Sequence, residues 1–189
     1  MRHSRTASIT RRIPVTVLAL LALAPPLSAA NLAQDWTLET ADGVPVTLGE
    51  VAARQPTVLL FWATWCPYCK ALMPHLQSIR LEYGDDVRIL AIDIFDDGDP
   101  VAFMQEAGYD FTLLPRGDDV AKLYGIEGTP GVLIIDAQRR IHFDLRQAPR
   151  MQLPAGAETA GNARKAAYRA PYWAAQIRRS LDALLAEGP

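Results

Sequence analysis

The chain has 189 residues, of which 50% are apolar and 21% are charged, and this ordinary globular composition excludes disorder. Its 19 basic and 21 acidic residues include four arginines and no acid within the first thirty positions. Residues 31–189 therefore carry 15 bases and 21 acids, a net charge of −6, which argues against a nucleic-acid partner.

The first thirty residues have the pattern of a secretory signal peptide. Four arginines precede an apolar run at 13–24, two prolines end that run, and small residues follow at 28–30. A run of about twelve residues is short for a membrane span, which needs roughly 20; an uncleaved membrane anchor is the competing interpretation. We expect a cleaved signal peptide at 1–30, a mature domain at 31–189, and a periplasmic or otherwise extracytoplasmic location.

The charge is unevenly distributed along the mature domain. Residues 31–136 carry 17 acids and 6 bases, whereas residues 137–189 carry 4 acids and 9 bases. Two interpretations follow: either the basic tail lies against the acidic body, or it forms a basic docking surface.

The first half of the domain predicts a hairpin followed by a strand, a helix and a second strand. Asp42-Gly43 is a hairpin turn signal between the apolar residues of 31–54. The continuously apolar run at 57–62 suits a central strand buried on both faces. A helix is predicted from Cys66 to about residue 83, kinked at Pro74, and a second core strand at 87–94 completes a parallel βαβ unit.

The second half predicts alternating short elements and a terminal helix. Asp99 and Pro100 are suitable N-cap and N1 residues for a helix that ends near residue 108. A short strand at 111–114, a short helix at 120–124 and an antiparallel hairpin of 132–135 with 141–145 follow. Residues 146–170 are expected to form a long loop, and residues 171–187 a final amphipathic helix.

The chemistry-bearing feature is the cysteine pair, Cys66 and Cys69. A disulfide between them closes a loop of four residues, worth roughly 2 kcal/mol on chain-entropy grounds, so a stabilising cross-link is a poor explanation. Cys66 begins a helix, where unpaired N–H groups and the helix dipole favour the thiolate that attacks disulfides. Cys69, one turn later, should be shielded and should resolve the mixed disulfide.

Three motifs carry a family resemblance. Residues 61–69, Phe-Trp-Ala-Thr-Trp-Cys-Pro-Tyr-Cys, resemble the active-site segment of thioredoxin-like proteins, and Pro74 matches the kink proline of that family. The segment 124–130, Tyr-Gly-Ile-Glu-Gly-Thr-Pro, resembles its cis-proline loop. The resemblance implies a redox-active disulfide Cys66–Cys69, a cis bond before Pro130 and a substrate-pairing backbone at Thr129.

Together these features imply an α/β thioredoxin-like fold: a central mixed β-sheet flanked by helices, with an N-terminal hairpin, a central insertion and a C-terminal helix. The family core covers about 57–145, and 146–189 is a C-terminal extension. Cys69 and Pro130 are 61 residues apart, more than a minimal thioredoxin needs. This excess, with the leader and the N-terminal hairpin, resembles the exported TlpA/DsbE-like branch, whose members commonly reduce disulfides outside the cytoplasm. The resemblance implies protein disulfide substrates, a membrane electron donor, and no cofactor or metal.

Further residues are expected to face the substrate. Trp65 and Pro67 flank the nucleophile, and Tyr68, between the cysteines, is predicted to be exposed and to tune the redox couple. With Thr129 and Pro130 they complete the predicted substrate-binding set. Trp62, by contrast, is predicted to be a core residue.

The sequence departs from the family at two acidic positions. Thioredoxins carry a buried acid where this chain has Leu60, and some TlpA-like reductases carry a glutamate where it has Leu72. Either acid can accept the proton of the buried thiol. Water, Lys70, Asp93 and Glu127 are the alternatives left for that role.

Two other functions remain open from the sequence. A dithiol oxidase that introduces disulfides would carry the same cysteines at a different reduction potential. A non-enzymatic carrier would use them to hold copper or to present them to a partner. A four-ligand metal site with His75 and His142 has the wrong spacing for known zinc fingers, and Lys70 after Cys69 excludes covalent haem attachment.

Overall fold

A five-stranded mixed sheet forms the centre of the domain. The computed structural model describes residues 31–188, so the predicted signal peptide lies outside the described residues. The sheet has the strand order β5-β4-β3-β6-β7. Its strands are β3 (Thr57–Trp62), β4 (Arg88–Asp93), β5 (Thr112–Leu114), β6 (Gly131–Ile135) and β7 (Ile141–Asp144).

The central strand β3 is buried along its whole length, as predicted from its continuous apolar run. It pairs in parallel with β4, placing Trp62 opposite Asp93. On its other side it pairs antiparallel with β6, placing Phe61 opposite Gly131. The end of β3 and the start of β6 therefore lie at the same edge of the sheet.

The helices α2 (Pro67–Tyr83) and α5 (Asn162–Glu187) pack together over one face of this sheet. Side chains alternate along β3, so Leu60 and Trp62 face this helical layer, together with Leu72 and Leu76 of α2. The neighbouring residues Leu59 and Phe61 face a second core on the opposite side of the sheet. Burial on both faces fixes the register of β3 and hence the position at which the chain leaves it.

The N-terminal segment forms a separate two-stranded sheet and covers the second core. Strands β1 (Thr37–Glu39) and β2 (Pro45–Thr47) are antiparallel, and Gly43 adopts a φ of 79° in the turn between them. The short helix α1 (Leu48–Ala52) follows and buries Leu48. The predicted hairpin is confirmed, whereas α1 was not predicted.

The insertion between β4 and β6 contains two helices and an edge strand. Helix α3 (Pro100–Ala107) begins at Asp99, whose side chain accepts a hydrogen bond from the Ala102 N–H at 2.9 Å, confirming the predicted cap. Strand β5 extends the sheet, and α4 (Asp118–Leu123) leads to the turn before β6.

The terminal helix is longer than the sequence analysis predicted. It begins at Asn162 rather than at Pro171, and Pro171 lies inside it. The prediction was wrong: proline favours the first turn of a helix, but residues 162–170 are rich in strong helix formers and extend the helix past it. Ala166 and Ala170 continue the buried stripe of Ala174 and Ile177. Because alanine is small, its spacing is a weak indication of a buried helix face.

The basic tail only partly neutralises the acidic body. Three of its arginines pair with body carboxylates: Arg139 with Asp35 at 3.6 Å, Arg140 with Asp136 at 2.6 Å, and Arg178 with Glu82 at 2.7 Å. Part of the basic tail therefore lies against the acidic body, while its other bases form no ion pair with a body carboxylate within residues 31–188.

Candidate active site

Cys66 and Cys69 occupy the first turn of α2 and are joined as a disulfide. Cys66 is the N-cap, with extended φ and ψ of −79° and 111°, and Pro67 is the first helical residue. The Cys66 Sγ accepts a hydrogen bond from the Cys69 N–H at 3.1 Å. A donor of the helix terminus thus already points at this sulfur, as helix N-termini do toward anions.

Both cysteines are buried in the disulfide state. Cys69 is fully buried, as predicted, and Cys66 is only 1% exposed. Because a nucleophilic sulfur must reach a substrate sulfur directly, the Cys66 sulfur must be more accessible when the reduced protein attacks a substrate than it is in this disulfide form.

The loop after β4 holds the segment that leads from β3 to Cys66. The Asp96 carboxylate accepts hydrogen bonds from the Thr64 N–H and, at 2.7 Å, from the Thr64 hydroxyl. It also accepts the Gly98 N–H at 2.9 Å, and a Cβ at Gly98 would collide with the Thr64 hydroxyl. We call these contacts of Asp96 with Thr64 and Gly98 the clamp. The sequence does not predict it, because Asp96 is one of several acids in this loop.

Trp62 and Trp65 have the different environments that the sequence predicts. Trp62 is fully buried in the core, whereas Trp65 is 57% exposed beside Cys66. The Trp65 indole N–H donates to the Phe95 carbonyl at 2.9 Å. This bond fixes an exposed aromatic surface next to the disulfide.

Tyr68 is half-buried, so the prediction of an exposed side chain was wrong. Its ring lies 6.0 Å from the ring of Trp173, and the Arg169 guanidinium lies 5.7 Å from its centre. Both partners belong to α5: Arg169 lies two residues before the predicted helix start at Pro171, and Trp173 lies two residues after it. The cover on Tyr68 was not predicted because the sequence does not show that α5 packs against the first turn of α2.

The segment before β6 contains the cis bond that the family resemblance implies. The Thr129–Pro130 peptide is cis. Within residues 31–188, no hydrogen bond engages the Thr129 backbone, and its hydroxyl is buried without a partner. Since Gly131 pairs with Phe61, this loop lies at the sheet edge from which the Cys66 segment emerges.

Asp93 is the buried acid of this region. The family positions Leu60 and Leu72 are fully buried apolar residues, and Lys70 and Glu127 are exposed. Asp93 is 5% exposed, and by strand alternation it shares with Trp62 the sheet face that α2 covers. Burial, and then the adjacent carboxylate of Asp96, raise the pKa of Asp93 to about 7.

No group of three or more His, Cys, Asp or Glu side chains within residues 31–188 is arranged to hold a metal ion. The structure therefore does not bring His75 and His142 together with the two cysteines. The same described range contains no helix with the length and apolarity needed to span a bilayer.

Comparison with known protein families assigns the domain. The AhpC/TSA family matches residues 29–143, a range that contains both cysteines and the Thr129–Pro130 bond. The chain belongs to the AhpC/TSA family. Membership in the AhpC/TSA family agrees with the thioredoxin-like resemblance of the sequence, and the mixed sheet, hairpin and terminal helix confirm the predicted fold.

Two relatives and one solved structure illustrate the AhpC/TSA relationship. The chain is 29% identical over 116 residues to thiol-disulfide oxidoreductase ResA of Halalkalibacterium halodurans, covering 60% of this chain and 65% of that protein. It is 36% identical over 102 residues to a thiol:disulfide interchange protein DsbE homolog of Paracoccus denitrificans, covering 51% and 54%. The match thus spans less than two thirds of either relative.

The solved structure is the thioredoxin domain of a thiol-disulfide oxidoreductase from Bacteroides vulgatus. The two structures align with a TM-score of 0.53 at 20% sequence identity, covering 58% of this chain and 82% of that one. At this identity the likeness supports the thioredoxin-like fold.

Proposed function

We propose that this protein is an extracytoplasmic thiol–disulfide oxidoreductase that reduces disulfides in other proteins. The observation that carries the proposal is the position of Cys66 as N-cap of α2, with its sulfur accepting the Cys69 N–H and Cys69 within disulfide distance. Two relatives named as thiol:disulfide enzymes support it.

The reaction follows from the two sulfurs. In the reduced protein, the Cys66 thiolate attacks one sulfur of a substrate disulfide, forming a mixed disulfide and releasing the other sulfur as a thiolate that takes up a proton. Cys69 then loses its proton and attacks the Cys66 sulfur. The second substrate thiol leaves, and two electrons have passed from the Cys66–Cys69 dithiol to the substrate.

We propose roles in this reaction for the residues around the two cysteines. The unengaged backbone of Thr129 is suited to pair with an extended substrate segment beside Pro130. Trp65 offers an exposed aromatic surface, Pro67 begins the helix, and Tyr68 contributes a half-buried ring between the cysteines and α5. Asp93 is the side chain best suited by burial and pKa to receive the Cys69 proton.

The location and the electron source are part of the same proposal. The arginines, apolar run and small residues of 1–30 favour export. A reductase outside the cytoplasm must regain two electrons and two protons after each turnover, so we propose a membrane-bound dithiol donor as its partner.

A redox titration against glutathione tests the direction of the reaction. We expect a reduction potential more negative than about −220 mV, since thioredoxin has about −270 mV and the oxidant DsbA about −120 mV. The oxidised fraction is read by thiol alkylation and mass spectrometry. A potential above about −180 mV would instead support the oxidase.

A further inference from the structure

A basic cleft lies beside the cis-proline loop, between helix α5 and residues 145–151, the segment that follows β7. Its volume is about 450 Å³. Its lining residues come from the cis-proline loop, from the segment 145–151 and from α5: Pro130, Leu145, Arg146, Ala148, Pro149, Arg150, Met151, Arg169 and Trp173. We call this set the tail cleft.

The tail cleft adjoins the cysteine pair through two shared walls. Pro130 belongs to the loop proposed to hold the substrate backbone. On the opposite side, Trp173 and Arg169 contact the ring of Tyr68, the residue directly before Cys69. A polypeptide seated along Pro130 would therefore extend into the cleft.

The charge of the tail cleft is opposite to that of the domain around it. It is lined by three arginines and by no carboxylate, while residues 31–136 have a net charge of −11. Arg146 is already neutralised by Asp144 at 2.7 Å and donates to the Tyr124 and Gly125 carbonyls.

Two arginines of the cleft are left without an acidic partner. Within residues 31–188, neither Arg150 nor Arg169 forms an ion pair. Arg150 is exposed, and Arg169 is half-buried with its guanidinium over the Tyr68 ring. The contact with Tyr68 holds Arg169 in the wall of the cleft. A fixed, unpaired guanidinium is a good binding group for a carboxylate.

We propose that the tail cleft binds an acidic segment of the polypeptide whose disulfide is exchanged at Cys66. Arg150 and Arg169 pair with carboxylates of that segment, and Met151 and Trp173 contact its apolar parts. The inference rests on the proposed function and adds a substrate class to it: disulfides that lie a few residues from aspartate or glutamate. Such pairing orients the substrate and raises its local concentration.

Matched peptides test this proposal. Two cystine peptides with identical sequences, one with Asp and Glu flanking the disulfide and one with Asn and Gln, are reduced by the full-length reduced protein. We expect the second-order rate constant of this single-turnover reduction to be about tenfold higher for the acidic peptide at low ionic strength, and the ratio of the two rate constants to fall as salt is added. In R150Q/R169Q the ratio should fall to about one.

Three variants isolate the charge. R179Q removes an exposed arginine elsewhere on α5 and should keep the wild-type ratio. R150K/R169K keeps both positive charges and should retain part of it. R150Q alone leaves the Arg169–Tyr68 contact intact and should lose part of the ratio. Equal rates for both peptides with the wild-type protein, or an unchanged ratio in R150Q/R169Q, would contradict the proposal.

A binding measurement separates this inference from the proposed function. Peptides with serine in place of both cysteines are titrated into the oxidised protein, where no exchange occurs, and Kd is measured by calorimetry. The acidic peptide should bind about fivefold to tenfold more tightly than its amide counterpart. This preference would support the cleft even if neither cystine peptide were reduced, a result that would reject the reductase; equal Kd values would reject the cleft.

Discussion

Replacing Cys66 with serine should lower the rate of protein-disulfide reduction by at least about 10³-fold, because a hydroxyl at this position cannot form the mixed disulfide. The expectation depends on Cys66 being the N-cap sulfur that the α2 terminus can stabilise as an anion. The measurement is insulin reduction in the presence of a small-molecule dithiol, followed by turbidity.

The matched variant is Cys69→Ser, which keeps the nucleophile and removes the resolving thiol. It should accumulate a mixed disulfide with substrate, visible as a mass increase that a reductant reverses. Cys66→Ser should form no such adduct under the same conditions. Adduct formation by Cys66→Ser but not by Cys69→Ser would reverse the two roles, and insulin reduction by Cys66→Ser within tenfold of wild type would contradict the nucleophile assignment.

Replacing Asp93 with asparagine should make the protein more stable above pH 7. Asp93 has a pKa of about 7 in the folded protein against 3.8 in the unfolded chain, so the folded state holds its proton more tightly. The stability that this provides is fully present below about pH 4 and is lost as the pH rises through about 7. The interval from 3.8 to about 7, at about 1.4 kcal/mol per pKa unit, makes the difference on the order of 4 kcal/mol, and the asparagine side chain does not titrate in this range.

Urea unfolding at several pH values between 4 and 8 measures this effect. Between those limits, the wild-type free energy of unfolding should fall relative to that of Asp93→Asn. Asp97→Asn removes an exposed acid of the following loop and should track the wild type. The contribution of Asp96 to stability depends on pH in the opposite direction, because its hydrogen bonds to Thr64 and Gly98 lower its pKa despite partial burial. That contribution changes only below about pH 4, outside the range of the measurement. Parallel curves for wild type and Asp93→Asn would contradict the assignment.

The sequence was sufficient for the fold because its strongest signals agree. The apolar run of β3, the Asp99–Pro100 helix start and the Asp42–Gly43 turn each fix a local structure, and all three were confirmed. The cysteine pair could be placed at a helix start for the same reason. Each of these features depends on neighbouring residues, which a sequence displays directly.

The missed features depend on residues distant in sequence. The clamp joins Asp96 to Thr64, 32 residues away, and no local pattern distinguishes Asp96 from its acidic neighbours. The cover on Tyr68 comes from Trp173 and Arg169 of α5, about 100 residues further along the chain, and depends on how α5 packs against α2. The tail cleft likewise needs Pro130, Arg150 and Arg169 to be brought together by tertiary packing.

Ionisation of the Cys66 sulfur in reduced Cys69→Ser tests the proposed mechanism most directly. It is followed by the absorbance of the thiolate near 240 nm as the pH is raised. We expect its midpoint below about 7.5, because the N–H groups and dipole of α2 stabilise the anion relative to free cysteine at about 8.5. A midpoint at or above that of free cysteine would show that the α2 terminus does not activate this sulfur, and the proposed mechanism would then be wrong.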